Sequence, residues 1–274
     1  AGSHRMNAAI GGVNPDLNVL IGDFYKGISD TIGKMHIGYS ADNLFDAELI
    51  FTTCTNWSYT MPAIYHFLSE ARYNGTELVS IAPDYSPSTI HADYHVPVQT
   101  GTDAGFWMAL CQVLVAEDLI DRPFIKEQTD LPLLVRDDNA RYLRQSDFQG
   151  SGRDDQLYVW DQKTGAPAKA PRATLAFDGD PALEGEFKVT LADGKKVTVR
   201  SVYANLKAQL DKNCTPEQAQ QQCGAHPSLI RLLAQKVATK RTCSYIGFSS
   251  AMTYHGDLGE RALMLAMALT GNWG

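Results

Sequence analysis

The chain has 274 residues, of which 44% are hydrophobic and 20% are charged. This length allows one or two domains with a sizeable core, and the composition excludes an intrinsically disordered chain. The formal net charge of −7, with no basic run, excludes an electrostatic interface for nucleic acid. No apolar stretch reaches the ~18 residues that a transmembrane helix needs, so the sequence predicts no direct insertion into a membrane.

The two ends of the chain predict a piece of a longer protein. Residues 1–6, Ala-Gly-Ser-His-Arg-Met, are typical of a cloning scar, and we expect them to lie outside the fold. The chain stops at Gly274, soon after an apolar helical pattern. No signal-peptide pattern is visible at the start.

The first part of the chain predicts a parallel βαβ unit. Residues 7–46 have weak periodicity and indicate loops with short helical pieces. Glu48–Thr53 is a short apolar run typical of a buried strand. Pro62 begins a helical pattern that Asn74-Gly75 ends, and Glu77–Ala82 is the next strand. Strand, helix and strand in this order imply parallel strands joined by a right-handed crossover.

The middle of the chain changes character twice. After the polar loop Pro83–Thr102, Asp103 is expected to be the N-cap of an apolar helix over Ala104–Ala116. Residues 121–149 are polar and predict short surface helices. Residues 150–200 are interpreted as a small β insertion. Alternating patterns on both sides of an Asp-Gly pair predict a hairpin there, with a third strand nearby; the strands are Phe187–Leu191, Lys196–Arg200 and Leu157–Trp160.

The last part returns to helices around one more strand. Thr215–Gln218 is a capping box with proline at the first helical position, and Gly224 closes that helix. The remaining predicted elements are helices over Val202–Leu210, Ser228–Thr239 and Leu258–Leu269 and a buried strand over Cys243–Gly247. The fold class is therefore α/β, a Rossmann-like parallel sheet flanked by helices with a small β-hairpin insertion. Residues 7–149 and 201–274 are expected to form the α/β domain.

Common catalytic and metal-binding motifs do not occur in the sequence. The five cysteines form no C-x-x-C pair, which favours ordinary free thiols. No G-x-G-x-x-G follows the first strand, and no Walker loop, G-x-S-x-G or H-E-x-x-H is present. Two groups have the composition of metal sites: His91, Asp93 and His95, and His255, Asp257 and Glu260. We favour structural roles for both, with Asp257 as a helix N-cap and Glu260 as its capping partner.

Polar loops follow the predicted parallel strands. In open α/β sheets, ligands bind outside the carboxyl ends of the strands, where the loops Cys54–Met61, Pro83–Thr102 and Phe248–Gly256 lie. These loops carry short amides, hydroxyls and carboxylates: Asn56, Asp84, Ser86, Ser88, Thr89, Asp93 and Asp103. Such groups suit the ribose and base of a nucleotide better than an apolar ligand. The sequence therefore indicates a nucleotide-like ligand at this edge.

An ordered set of motifs resembles the catalytic subunit of the molybdopterin oxidoreductase (dimethyl sulfoxide reductase) family. The matching residues are Asn56, His66–Gly75, Val79–Tyr85, Ser88–Asp93, Gly101–Asp103, Gln128–Val135, Tyr254–Arg261 and Leu269–Asn272. The branch resembled holds respiratory nitrate reductase, nitrite oxidoreductase, selenate and chlorate reductases and ethylbenzene dehydrogenase. The resemblance covers roughly a quarter of a full subunit.

The resemblance implies a bis-molybdopterin guanine dinucleotide cofactor with molybdenum. Asn56 would lie against the pterin and pyrophosphate, while Asp84, Ser88 or Thr89, Gly101 and Asp103 would hold the guanosine end. An aspartate before the first strand ligates molybdenum in this branch, which implies Asp23 as the metal ligand and catalytic residue; a turn aspartate after Gly22 is the alternative. The family commonly has glycine just before the position of Asn56, where this chain has Cys54-Thr55.

The same resemblance implies a function for the parent enzyme. Its reaction would be oxygen-atom transfer between nitrite and nitrate, with electrons passed to an iron–sulfur cluster outside this chain and to an iron–sulfur electron-transfer subunit. An exported, periplasmic compartment is expected for the parent, and the isolated chain is expected to bind no molybdenum and to be inactive. The alternatives are a selenate or chlorate reductase, a dimethyl sulfide or ethylbenzene dehydrogenase, or a nucleotide-binding module without a redox role.

Overall fold

The computed structural model describes residues 2–13, 24–34, 40–150 and 152–273. The helices are α1 (Gly2–Ala9), α2 (Lys26–Ile32), α3 (Trp57–Thr60), α4 (Pro62–Tyr73), α5 (Asp103–Ala116), α6 (Arg122–Gln128), α7 (Gln145–Phe148), α8 (Val202–Asn213), α9 (Pro216–Cys223), α10 (Pro227–Thr239) and α11 (Gly256–Leu269). Two short 3-10 helices lie at Ala41–Phe45 and Phe248–Met252. The strands are β1 (Leu49–Thr53), β2 (Glu77–Ile81), β3 (Tyr94–Val96), β4 (Leu134–Arg136), β5 (Tyr158–Asp161), β6 (Ala166–Lys169), β7 (Glu186–Thr190), β8 (Lys196–Ser201) and β9 (Thr242–Ile246).

A four-stranded parallel sheet forms the centre of the fold, in the order β3-β2-β1-β9. All five residues of β1 are buried, as expected for a strand covered on both faces. The pairing of β1 with β2 through helix α4 confirms the predicted βαβ unit. The α/β fold class is thereby confirmed.

Strand β9 differs from its prediction as a fully buried strand. It pairs with β1 at the end of the sheet, and all five of its residues are only half-buried. The apolar residues of a short run cannot reveal whether a strand is central or at an edge, because both positions accept the same side chains.

Helix α5 supplies the main core of the chain. Phe106, Trp107, Leu110 and Leu114 are completely buried in it, and the helix packs against α8, α9, α10 and α11. A helix that is apolar on all sides is typical of a position surrounded by protein. The first residue of α5, Asp103, lies beside the carboxyl end of β1, where it accepts a hydrogen bond from Cys54.

Two antiparallel sheets lie between β3 and β9 in sequence. One has the order β4-β8-β7, and the predicted hairpin is its β7–β8 part. The strand predicted at Leu157–Trp160 is β5, which pairs with β6 in a separate two-stranded sheet rather than with the hairpin. Strand β4 lies within residues 121–149, where only helices were predicted. The division of the chain into domains stays a prediction.

The observed helix ends agree with the capping prediction for α9 and differ from those for α5 and α11. Thr215 and Gln218 form the predicted capping box of α9, and Gly224 ends this helix with φ +83°. Asp103 is not an N-cap, because Thr102 occupies that position and Asp103 is the first residue of α5. Asp257 is not an N-cap either, since His255 precedes α11 in the left-handed conformation with φ +56°. Neither helix has a side-chain cap.

Within the described ranges, no helix combines the length and apolar character that crossing a bilayer requires.

Candidate functional site

A narrow cleft opens at the carboxyl edge of the parallel sheet. It lies where the end of β1 meets the first turns of α5 and α11 and the loop after β9. Cys54, Gly101, Asp103, Thr253, His255 and Gly259 are among the residues that line it. This is the position at which open α/β sheets bind ligands.

Cys54 turns the chain sharply at the end of β1. Its φ of +53° is unusual for a residue with a side chain. Its Sγ donates a hydrogen bond to Oδ1 of Asp103 at 3.4 Å. A Cβ on Gly247 would lie 1.9 Å from the carbonyl oxygen of Cys54, so glycine is required there. The loop after β9 therefore packs directly, backbone against backbone, on the turn after β1.

Asp103 carries the carboxylate of the cleft. Burial raises its pKa, and the hydrogen bond from Cys54 opposes that rise. Burial also raises the pKa of the Cys54 thiol, and the charge of Asp103 adds to this effect, so Cys54 stays protonated as the donor. The position in the first turn of α5 favours a negative charge at Asp103. A ligand that donates N–H or O–H groups would find an acceptor here.

Asn56 and Ser88 meet beside this turn. Oδ1 of Asn56 accepts hydrogen bonds from the hydroxyls of Ser88, at 2.5 Å, and Ser58, at 3.0 Å. The hydroxyl of Ser88 also accepts from the backbone amide of Ser58 at 3.0 Å. The side-chain NH₂ group of Asn56 has no hydrogen-bond partner among the described residues. It is therefore a donor available to a ligand oxygen.

The other predicted site residues occupy different surroundings. Gly101 lines the cleft with φ +82°, and a Cβ at this position would lie 3.6 Å from Cβ of Thr253. Asp84 is exposed at the end of β2. Thr89 is 1% exposed, and its hydroxyl is hydrogen-bonded to Ser80 and Ser86 within the protein. Asp23 lies outside the described residues. The structure thus brings Gly101 and Asp103 together and joins Asn56 to Ser88. The hydroxyl of Thr89, in contrast, already has hydrogen-bond partners within the protein.

Neither group with metal-like composition forms a metal site. In the described ranges, no three His, Cys, Asp or Glu side chains converge as ligands. Asp93 instead accepts from the amide of Leu78 at 2.7 Å and from Arg72, and the Nε2 atom of His95 lies 3.2 Å from the carbonyl oxygen of Ala82. All five cysteines are free. The five thiols are free as predicted, and the structural roles of the histidines stay a prediction.

Glu260 differs from its predicted role as a capping partner of Asp257. It is completely buried, and its carboxylate accepts hydrogen bonds from the backbone amides of Gly27 and Ile28 and from the hydroxyl of Ser250. Burial raises its pKa, which the three hydrogen bonds partly offset. Sequence reasoning missed this role because the amides belong to a distant segment. The only local signal was a glutamate on the apolar face of α11.

Two buried polar atoms of the cleft residues have no hydrogen-bond partner in the part of the chain that the structure describes. They are Oγ1 of Thr53 and Nε1 of Trp107, in side chains that are 1% and 0% exposed. Buried polar groups are nearly always hydrogen-bonded, so such atoms indicate a site that a bound polar group or water completes. Together with the acceptors of Asp103, they fit a polar ligand such as a nucleotide.

Curated relatives match nearly the whole chain. The chain is 38% identical over 98% of its length to the chlorate reductase subunit alpha of Ideonella dechloratans, and 35% identical over 100% to the dimethylsulfide dehydrogenase subunit alpha of Rhodovulum sulfidophilum. The respiratory nitrate reductase subunit alpha of Haloferax mediterranei is 32% identical over 100% of the chain. The chain spans 29–30% of the length of these relatives.

A solved structure agrees with this match at the level of the fold. Acetylene hydratase from Pelobacter acetylenicus superposes with a TM-score of 0.51 at 15% identity, covering 85% of this chain and 24% of that one. No protein-family model matches the chain. Because of its sequence identity to these relatives, the chain belongs to the dimethyl sulfoxide reductase family of molybdoenzymes. It corresponds to a segment of their alpha subunits.

Proposed function

We propose that the cleft binds the guanosine end of a molybdopterin guanine dinucleotide. The observation that carries this proposal is the set of polar groups at the carboxyl edge of the sheet, where the carboxylate of Asp103, Oγ1 of Thr53 and Nε1 of Trp107 belong to residues that line the same cleft. A carboxylate accepts two N–H or O–H bonds at once, as the base and ribose of guanosine require. Asn56, held by Ser88, would face the pyrophosphate or pterin with its free NH₂ group. Asp84, which is exposed, would accept from a ribose hydroxyl.

Titration calorimetry with GDP tests this proposal on the chain itself. We expect binding by the wild type and its loss in Asp103→Ala. Glu217→Ala is the matched control, because it removes a carboxylate from the first turn of α9, a different helix, and should leave GDP affinity unchanged. Failure of the wild type to bind GDP, or binding that survives in Asp103→Ala, would refute the assignment. Equal affinity for ADP would replace guanosine recognition with a general nucleotide-binding module.

For the whole subunit, we propose two-electron oxygen-atom transfer between nitrate and nitrite. The bis-dinucleotide cofactor would supply molybdenum as the centre of oxygen transfer, with Asp23 as its protein ligand. Reduction of nitrate to nitrite consumes two electrons and two protons and releases water, so an electron donor is needed. An iron–sulfur cluster and an iron–sulfur partner subunit, both outside this chain, would fill that role, and an exported compartment for the enzyme stays a prediction.

Chlorate reduction and dimethyl sulfide oxidation are the second candidates for the same chemistry. They are favoured by the higher identities to the chlorate reductase and the dimethylsulfide dehydrogenase, 38% and 35% against 32% for the nitrate reductase. Assays of the full-length enzyme with nitrate, chlorate and dimethyl sulfide decide between them. Turnover of chlorate alone or of dimethyl sulfide alone would displace the nitrate proposal.

We also propose that the isolated chain carries no molybdenum and has no reductase activity, because it contains only part of the cofactor cage. Metal analysis of the purified chain tests this, and stoichiometric molybdenum would overturn it.

A further inference from the structure

Glu260 lies behind the cleft rather than in it. The residue before it, Gly259, lines the cleft, while the Glu260 side chain points into the protein and is completely inaccessible to solvent. A buried carboxylate is costly unless its oxygens are hydrogen-bonded. Its partners therefore show what this charge is used for.

One oxygen of Glu260 holds the loop that forms a wall of the cleft. Oε1 accepts a hydrogen bond of 2.5 Å from the hydroxyl of Ser250, which is itself 8% exposed. Ser250, Thr253 and His255 all belong to this loop and line the cleft. The Ser250 bond therefore fixes the loop against α11.

The other oxygen of Glu260 holds helix α2. Oε2 accepts from the backbone amides of Gly27 at 2.8 Å and Ile28 at 3.3 Å, in the first turn of α2. Hydrogen bonds from a helix N-terminus to a carboxylate are charge-assisted and stronger than neutral ones. A Cβ on Gly27 would lie 2.2 Å from the carbonyl oxygen of Asp257, so α2 approaches α11 as closely as two backbones can.

The residues before α2 contact the same loop from a third direction. The hydroxyl of Tyr25 donates to the carbonyl oxygen of Ile246 at 3.0 Å. The rings of Phe24 and Tyr25 pack against Phe248, with centroids 4.9 and 5.3 Å apart. Residues 24–32 and the wall of the cleft thus form one packed unit with the carboxylate of Glu260 between them.

We propose that Glu260 is a positioning residue that couples the segment Phe24–Ile32 to the nucleotide cleft. Because one carboxylate bonds both parts, the cleft has its binding geometry only when α2 is docked, and a bound nucleotide stabilises the docked α2 in return. Such coupling is reciprocal by thermodynamic necessity. This inference rests on the proposed binding of a guanosine nucleotide at the cleft.

Hydrogen exchange and calorimetry on the same samples test the coupling. In the wild type, saturating GDP should slow amide exchange in residues 24–32, although these residues do not line the cleft. In Glu260→Ala, we expect faster exchange in residues 24–32 without ligand, no further protection by GDP, and about tenfold weaker GDP binding, equivalent to about 1.4 kcal/mol. Glu260→Gln keeps an acceptor for the amides and a polar group for Ser250, so it should restore most of both properties.

The matched control is Asp161→Ala. Asp161 is also a largely inaccessible carboxylate that accepts from two backbone amides and a hydroxyl, but it lies in β5, away from the cleft. The Asp161→Ala substitution should lower the stability of the chain and leave both GDP affinity and the protection of residues 24–32 unchanged. Ser250→Ala is the substitute variant if Glu260→Ala does not fold, because it removes only the hydrogen bond between Ser250 and Glu260. It should also weaken GDP binding.

The outcomes separate the two proposals. If the wild type binds no GDP, the proposed function fails. If it binds GDP but residues 24–32 gain no protection, or if Glu260→Ala and Ser250→Ala both bind as tightly as the wild type, the coupling is refuted and the proposed function stands.

Discussion

Burial raises the pKa values of Asp103 and Glu260 at the carboxyl edge of the parallel sheet, whereas the pKa values of Asp138, Asp155 and Asp161, in or beside the antiparallel strands, are all lowered. The latter three are held by cationic side chains or by backbone amides. Asp138 accepts from Arg136 and Lys195, and Asp161 from the amides of Lys163 and Asp180. The ionised carboxylates of the antiparallel region therefore stabilise the fold.

This difference shows which region of the chain contains carboxylates that destabilise the folded state. A buried carboxylate with a raised pKa destabilises the folded chain at neutral pH, and such groups concentrate at functional sites. In the described residues, the two raised carboxylates lie in and directly behind the cleft. The carboxylates near the antiparallel strands therefore add stability, whereas those at the cleft reduce it, as the proposed binding site would lead us to expect. The following experiments test this contrast, starting with the largest expected effect.

Matched glycine substitutions compare the two regions first. Gly247→Ala forces a Cβ to within 1.9 Å of the Cys54 carbonyl oxygen and should cost at least about 3 kcal/mol, because backbone must move to relieve the overlap. Gly194→Ala, in the β7–β8 turn at φ +81°, meets no atom within 4 Å and should cost only about 1 kcal/mol of backbone strain. Urea denaturation measures both values. Equal costs would contradict the tight packing of the loop on β1.

Matched valines test whether the two regions unfold together. Val79 in β2 and Val199 in β8 are both completely buried, so each change to alanine should cost about 2 kcal/mol. If the chain is cooperative, both variants lower one shared transition in thermal unfolding. A Val199→Ala variant that leaves the unfolding of the parallel sheet unchanged would show two independent units, and would support the division into a domain and an insertion.

The pH dependence of Asp103 gives a smaller effect. Because the folded chain raises its pKa, the contribution of Asp103 is fully present below the ordinary aspartate pKa and is lost as pH rises through the raised value. Asp103→Asn should therefore be more stable than the wild type at pH 7 and differ less from it at pH 4. Thermal melts at both pH values measure this difference. A variant that is less stable at pH 7 would show that the ionised carboxylate is not a cost.

Asp138 should give the opposite sign and the smallest change. Its pKa is lowered by Arg136 and Lys195, so its contribution is present above the ordinary aspartate pKa and is lost as pH falls below it. Asp138→Asn should destabilise the chain at pH 7 and lose this effect in acid. High salt should weaken the effect, because this carboxylate is close to solvent. A stability difference between variant and wild type that does not change with pH would rule out the ion pairs as its origin.

Local sequence patterns predicted the helices and strands that are determined by residues close to one another in the chain. The strands β1 and β2, helix α4 and the capping box at Thr215 and Gln218 all follow from neighbours within a few residues. Strands β3, β4 and β6 were missed because they are three or four residues long and their stability comes from pairing with partners. A short strand leaves little periodicity to detect.

The site was only partly predictable for the same reason. The polar loops at the strand ends indicated Asp103, and the family resemblance added Gly101; both residues line the cleft, and their roles stay a prediction. The contact between Cys54 and Asp103 and the bonds from Glu260 to Gly27 and Ile28 join residues far apart in sequence. Asp103 and Asp257 both resembled N-caps, yet tertiary packing leaves the cap positions to Thr102 and His255.

The pairing of β1 with β9 has a consequence for synthesis. Leu49 pairs with Thr242, so the parallel sheet cannot be completed until β9 has left the ribosome. The antiparallel strands lie between these two and pair over shorter distances in sequence, so we expect them to fold first. The cleft, whose wall follows β9, is then the last feature to form. On the proposed function, nucleotide binding would therefore begin only after β9 and α11 have been synthesised.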